Sequence, residues 1–218
     1  RIYKLKIKLY GSIQIKNLFM AVLASKVCGL KIENIFKKIE KIESVNGRLE
    51  LIKTLPNKSK IFLDYAHTPD ALESAILSLK EHFKKKITVV FGCGGERDKS
   101  KRELMGNVAK KYCKKIYITD DNPRNESPKK IRKDIMKELK NSKAKEINGR
   151  KKAILYALKN SDPYEIILIA GKGHETYQDL GKRKVFLSDR KIVENFNTKN
   201  IKFERNINDL NFNSAILK

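Results

Sequence analysis

The sequence predicts an α/β fold, a mostly parallel sheet flanked by helices. Three observations carry this. From residue 60 onward, short apolar runs alternate with helical patterns of roughly 10–15 residues, as in repeated strand–helix units. Two of the runs, Val89-Val90-Phe91 and Ile166-Ile167-Leu168-Ile169, are apolar without interruption, as strands covered on both faces of a parallel sheet are. Finally, polar clusters follow four of the runs, at 64–70, 92–102, 120–126 and 171–177. Ligands bind at the carboxyl ends of strands in open α/β sheets. The expected sheet is Rossmann-like, with all four clusters on one edge.

The elements follow in order. Residues 2–9 alternate Ile2, Leu5, Ile7 and Leu9 against lysines, which predicts a half-buried strand. Gly11 turns the chain, and NLFMAVLASKVCGL predicts a largely buried helix closed by Gly29. KIENIFKKIEKI is a short amphipathic helix with Ile32, Ile35, Phe36, Ile39 and Ile42 on one face. A stretch of turns and a brief strand then leads to Pro56-Asn57, the expected domain boundary. KIFLDYA is a strand, followed by a helix with Thr68 as N-cap and Pro69 at its first position. KITVVFG is a strand before a helix over 99–113, capped by Asp98. KIYITD is a strand, and PKKIRKDIMKELK and RKKAILYALKN are helices. EIILIAG is a continuous apolar strand, and KVFLSD ends the series. The tail beyond about residue 199 has weak periodicity.

The bulk composition excludes several classes. With 218 residues and 40% apolar content, the chain builds a real core. No apolar run approaches the ~18 residues of a membrane span, so no membrane insertion is expected. A start at Arg1, inside an alternating segment, points to a piece of a longer protein. Cys28, Cys93 and Cys113 show no disulfide or metal spacing, which fits a reducing cytoplasm. The net charge of +24 comes from lysines spread over nearly every segment. Aromatic residues do not interleave with them as a nucleic-acid groove requires. Phosphate-bearing small molecules are the expected partners, and nucleic acid is not.

The stretch DDNPRNESP concentrates the chemistry. A plain strand-to-helix turn accounts for Ser127 as N-cap and Pro128 at the first helical position. It leaves an arginine between acids unexplained. GCGGERD is not a dinucleotide fingerprint, because Arg97 stands where the last glycine belongs. AGKGHE contains no phosphate loop, and His174 is expected to be structural. The histidines and acids lack zinc-ligand spacing. Together the clusters supply Arg97 and Arg124 as forks for carboxylate, since a planar guanidinium pairs with it bidentately. Asp121 and Glu175 supply anions for ammonium. The implied ligand is a small amino acid.

DYAHTPDAL, FGCGGERDKSKR, TDDNPRNESP and AGKGHETYQ, in this order and spacing, resemble the carboxyl-terminal domain of the Mur ligases, over residues 11–189. Within that family D-N-P-R marks the diaminopimelate-adding branch. The resemblance implies that Arg97, Asp121, Asn122, Pro123, Arg124, Gly171 and Glu175 form a meso-diaminopimelate pocket, with Arg124 setting specificity. It implies that Asn17, Arg48, Asp64 and His67 border an ATP site, although Ile13 and Gln14 replace the family's usual Phe and Asn. Residues 1–56 would be the end of a central ATP-binding domain, 57–200 the ligase domain and 201–218 a tail. The implied reaction is ATP- and Mg²⁺-dependent amide formation on a UDP-linked muramyl dipeptide in the cytoplasm. The family's phosphate loop, metal carboxylate and carbamylated lysine are not in this sequence, so the chain alone is expected to be inactive. From the residues alone, a non-catalytic amino-acid or nucleotide-binding module stays open, as does a lysine-adding relative.

Overall fold

The computed structural model describes residues 4–140 and 142–197; the expected tail at 201–218 lies outside them. In chain order the elements are α1 (Ser12–Val27), α2 (Ile32–Ile39), β1 (Glu50–Thr54), β2 (Lys60–Asp64), α3 (Pro69–Phe83), β3 (Ile87–Phe91), α4 (Ser100–Tyr112) and β4 (Cys113–Ile118). There follow α5 (Pro128–Met136) with a 3-10 turn at Lys137–Leu139, β5 (Ala144–Glu146), α6 (Arg150–Lys159), β6 (Ile166–Ala170), β7 (Tyr177–Asp179), β8 (Lys184–Phe186) and α7 (Asp189–Glu194).

Six strands form one sheet in the order β1-β2-β6-β3-β4-β5. All neighbours are parallel except β1, which pairs antiparallel with β2. The two uninterrupted apolar runs are the central strands β3 and β6, buried at every position. Alternate side chains of these strands feed two cores. Phe62, Val89, Phe91 and Leu168 pack with α3, α4 and α5 on one face, while Ile61, Leu63, Val90, Ile167 and Ile169 pack with α6 and α7 on the other. The α/β, mostly parallel expectation holds.

Local chemistry sets the helix starts. Thr68 caps α3 as expected, its Oγ1 accepting from the Ala71 N–H at 3.3 Å, with Pro69 behind it. Thr68→Ala should cost about 1 kcal/mol while Thr68→Ser costs little; matching urea midpoints for parent and Thr68→Ala would contradict the cap. Ser127 and Pro128 hold the expected positions at the start of α5, but the Ser127 side chain makes no cap bond. Asp98 does not cap α4, whose N-cap is Lys99; its Oδ1 instead accepts from Ser100 N and Oγ at 2.9 and 2.6 Å. One residue of offset turns a cap into a tight side-chain turn.

Four expectations change. Residues 4–10 form no strand, although Leu5, Ile7, Leu9 and Tyr10 do turn inward against exposed lysines. The alternation is real, but a strand also needs a ladder partner, and Tyr10 instead packs its ring on Phe62 and Phe83. Helix α1 is not buried: none of its residues is, and Phe19, Met20 and Val27 are 60%, 64% and 88% exposed. Among the described residues α2 and α3 cover only part of its circumference. Pro56-Asn57 lies in the turn of the β1–β2 hairpin, so the sheet begins at Glu50, ahead of that point. KVFLSD does not extend the parallel sheet; its β8 pairs antiparallel with β7 in a separate hairpin.

Candidate functional site

Because β2, β3, β4 and β6 run parallel, their four polar clusters open on one edge, as expected. There they enclose a cleft of about 420 Å³. Six of the seven residues expected to bind an amino acid line it: Arg97, Asp121, Asn122, Arg124, Gly171 and Glu175. Pro123 does not. It is buried behind the cleft, where its carbonyl accepts from Glu126 N at 3.0 Å and closes the turn. Tyr65, His67, Thr68, Asp98 and Lys101 also line it.

The two acids of DDNPR have separate duties. Asp120 serves the scaffold: it pairs with Arg132 of α5, and its Oδ2 accepts from Gly149 N at 2.8 Å ahead of α6. Asp121 faces the cleft, with its Oδ2 4.0 Å from Arg150 Nη1. Arg124 adopts a left-handed backbone with φ 52°, an uncommon conformation for a residue with a side chain. The β7 hairpin holds it there, the Asp179 carbonyl accepting from Arg124 N at 3.0 Å. The guanidinium is fixed on one side, Nη1 donating to Gly95 O at 2.8 Å and Asn122 O at 3.4 Å. A Cβ at Gly94 would lie 3.0 Å from Arg124 Nη1 and 3.8 Å from Arg97 Cγ, so both arginines flank this glycine.

Opposite charge gathers at Asp121 and Glu175. Burial pushes the Glu175 carboxyl up, but hydrogen bonds from Lys172 and Asn122 and the nearby Arg150 charge outweigh it and hold it below its ordinary value. The cleft therefore presents two guanidiniums, the Lys101 ammonium and three carboxylates, those of Asp98, Asp121 and Glu175. Cys93, on its floor, is inert, burial pushing its thiol up to about 12. His174 is exposed and stacks on Tyr65, with ring centroids 5.8 Å apart, rather than bonding within the core.

A buried brace joins the two arginine-bearing loops. Arg102, fully buried on α4, pairs Nη1 and Nη2 with the two Glu126 oxygens at 2.7 Å each, and Nη1 also meets Asp134 at 3.0 Å. The Arg102 hydrogen bond draws the Glu126 carboxyl down from 4.5 to about 2. A depressed carboxyl adds stability above its unfolded pKa, and that stability is lost as pH falls toward the folded value. Stability should thus decline between about pH 4.5 and 2, and less steeply in Glu126→Gln. Equal acid profiles for the two chains, followed by circular dichroism, would contradict the brace.

A second cleft of about 290 Å³ lies beside the first and shares Tyr65 and His67 with it. Asn17, Arg48, Asp64 and His67, the four expected nucleotide neighbours, all line it. Buried Asp64 accepts from Leu49 N at 2.7 Å and Ala66 N at 2.8 Å, one bond per oxygen. Burial raises its carboxyl despite those bonds and the Arg48 charge. Each oxygen keeps acceptor capacity for a hydroxyl. Arg48 lies 4.9 Å over the Tyr65 ring. Among the described residues, no group of three or more His, Cys, Asp or Glu is placed to hold a metal. No helix there is long and apolar enough to cross a membrane.

Sequence reasoning missed Lys172, Arg150 with Asp189, the Arg102 brace and the β7 hairpin. Lys172 carried a signal, a lysine between glycines. Arg150 and Asp189 carried none, being 39 residues apart.

Known proteins resemble this chain in sequence and in fold. The family model described as Mur ligase, glutamate ligase domain, matches residues 47–173. The protein named UDP-N-acetylmuramoyl-L-alanyl-D-glutamate–2,6-diaminopimelate ligase of Rickettsia montanensis is 44% identical over 195 residues, 88% of this chain and 40% of that one. Its namesake in Haemophilus influenzae (strain ATCC 51907 / DSM 11121 / KW20 / Rd) is 41% identical over 189 residues, 86% of this chain and 38% of that one. A solved structure of an enzyme with this name superposes with a TM-score of 0.68 at 32% identity, over 88% of this chain and 39% of that one. The folylpolyglutamate synthase of Thermotoga maritima, at 22% identity and a TM-score of 0.58 over 78% of this chain and 38% of that one, shares the fold. The chain thus spans about 40% of the curated relatives it matches. With the family model covering more than half of the 218 residues, the chain belongs to the Mur ligase family.

Proposed function

We propose that this chain is the amino-acid-selecting part of an ATP-dependent ligase that joins meso-diaminopimelate to UDP-N-acetylmuramoyl-L-alanyl-D-glutamate, a cytoplasmic step of peptidoglycan precursor synthesis. One observation carries the reading: Arg97 and Arg124 share a cleft with Asp121 and Glu175. Arg97 and Arg124 suit the two carboxylates of diaminopimelate and Asp121 and Glu175 its two ammonium groups. The other lining charges are engaged within the protein, Asp98 by Ser100 and Lys101 by the His67 carbonyl. The relatives' names point to the same substrate. Residues ahead of Glu50 form, on this reading, the end of an ATP-binding domain, with the sheet as the ligase domain.

In the proposed reaction, ATP phosphorylates the γ-carboxylate of the D-glutamyl residue. An ammonium of diaminopimelate first loses a proton to solvent. The free amine attacks the acyl phosphate carbon, and the C–N bond forms as the C–O bond breaks. Phosphate leaves with that bonding pair, and the nitrogen gives up a second proton to leave a neutral amide. The cleft residues orient the incoming amine, an entropic contribution to the barrier. Arg48, Asp64, Asn17 and His67 border the nucleotide's sugar and base side. Mg²⁺ would offset the charge of phosphoryl transfer, but the described residues place no group of three or more His, Cys, Asp or Glu to hold it.

Titrating meso-diaminopimelate into the ¹⁵N-labelled chain tests the reading. Amide shifts are expected to cluster at Gly94, Arg97, Asn122, Arg124, Gly171 and Glu175. Shifts centred elsewhere, or none at millimolar ligand, would overturn it.

A further inference from the structure

Lys172 is fully buried, an expensive place for an ammonium unless it is paired. Its flanks explain how it gets there. Gly171 and Gly173 both have left-handed backbones, with φ 112° and 51°. A Cβ at Gly171 would sit 2.6 Å from Asp121 Oδ2, and one at Gly173 would sit 2.9 Å from Gly47 O. Glycines on both sides let the chain double back beyond β6 and send the lysine inward.

The ammonium makes two charge-assisted or dipolar bonds and faces a ring. Nζ donates to Glu175 Oε2 and to Asn122 Oδ1, each at 2.9 Å, and lies 5.5 Å from the Tyr177 ring centroid. Asn122 Oδ1 also accepts from Asp179 N at 3.0 Å, and Asn122 Nδ2 donates to Glu175 Oε2 at 3.1 Å. Two donors therefore fix which end of the Asn122 amide points inward; the flipped amide would set N–H groups against an ammonium. Both donors to Glu175 use Oε2, which leaves Oε1 for a group in the cleft.

Resting on the amino-acid reading of the cleft, we propose that Lys172 is a positioning residue: it keeps Glu175 ionised and aimed at the ligand's ammonium, and it fixes the orientation of Asn122. Besides Lys172, Arg150 from α6 acts on Glu175, and Asp121, Arg97, Asp98, Lys101 and Arg124 line the same cleft. Arg150 is already paired with Asp189 at 2.7 Å, so it does not replace the lysine. Without Lys172, burial dominates at Glu175, and its carboxyl takes up a proton at higher pH.

The test compares the parent chain with Lys172→Met, Glu175→Gln and the double variant. Two readouts are needed: carboxyl ¹³C titration of Glu175 without ligand, and calorimetric binding of meso-diaminopimelate. The account expects Lys172→Met to raise the Glu175 midpoint above the ordinary carboxyl range. It expects diaminopimelate binding to weaken roughly 10- to 100-fold, more at acidic than at neutral pH. In the Glu175→Gln background the same substitution should cost little more. Identical Glu175 titrations, or an equal loss of binding in both backgrounds, would overturn the proposal and leave Lys172 a structural residue. Should Lys172→Met fail to fold, the unaltered chain decides. An ammonium resonance of Lys172 that moves as Glu175 titrates supports the role, and one that ignores it overturns it. A parent chain that binds no diaminopimelate would sink the amino-acid reading, while the ligand-free titration still settles what Lys172 does.

Discussion

Asp189→Ala is expected to destabilise the chain by about 3–5 kcal/mol, the usual cost of breaking a buried ion pair from one side. Arg150 and Asp189 are 1% exposed each. Arg150 Nε lies 2.9 Å from Asp189 Oδ1, and Nη2 lies 2.7 Å from Oδ2. Removing the carboxylate leaves a guanidinium in the core with carbonyl partners at Ala170 (2.9 Å) and Asp120 (3.4 Å) but no full anion closer than Asp121 at 4.0 Å. Those partners are the last residue of β6 and a residue of the loop after β4, so the damage should spread to the cleft. Replacing both partners by apolar residues, Arg150→Met with Asp189→Leu, should recover much of the loss, because no charge is then buried alone. Urea unfolding measures both. A loss under about 1 kcal/mol for Asp189→Ala would mean that water reaches the guanidinium and that the pair is not a core element.

Arg124→Ala should weaken meso-diaminopimelate binding about 100-fold or more, since the ligand's distal carboxylate loses its fixed partner inside a partly dry cleft. Nucleotide binding should hardly change, because Arg124 lines the first cleft and not the one that holds Arg48 and Asp64. Arg124→Lys should recover only a small part, for a lysine cannot bond Gly95 O and a carboxylate with one rigid fork. Equal loss for diaminopimelate and ATP would instead assign Arg124 to the scaffold, through its bonds to the Gly95 and Asn122 carbonyls.

The legible parts of this fold were those written in local order. Strands β2, β3, β4 and β6 announce themselves as apolar runs, and Thr68-Pro69 marks a helix start within two residues. Chain order then brings the four clusters to one edge, which is why six expected cleft residues meet. Illegible were features that need a distant partner. Residues 4–10 alternate like a strand, but among the described residues no strand lies beside them to complete a ladder. Helix α1 is apolar nearly all round, yet burial needs cover on every side, and α2 and α3 cover part. Strand β5 is only Ala144–Glu146, too short for a periodic signal. Arg150–Asp189 and Arg102–Glu126 are tertiary pairs whose members look like ordinary surface charges in sequence. Lys172, between two glycines in a stretch that is no phosphate loop, is a buried cation beneath the cleft.

Calorimetry with meso-diaminopimelate and L-lysine, run side by side on this chain, tests the central claim most directly. The two ligands share an amino-acid head and differ by one distal carboxylate. The account predicts saturable diaminopimelate binding at least about tenfold tighter than lysine binding, a gap of roughly 1.4 kcal/mol, and loss of that gap in Arg124→Ala. Lysine binding as tight as diaminopimelate binding, or a gap that survives Arg124→Ala, would contradict it.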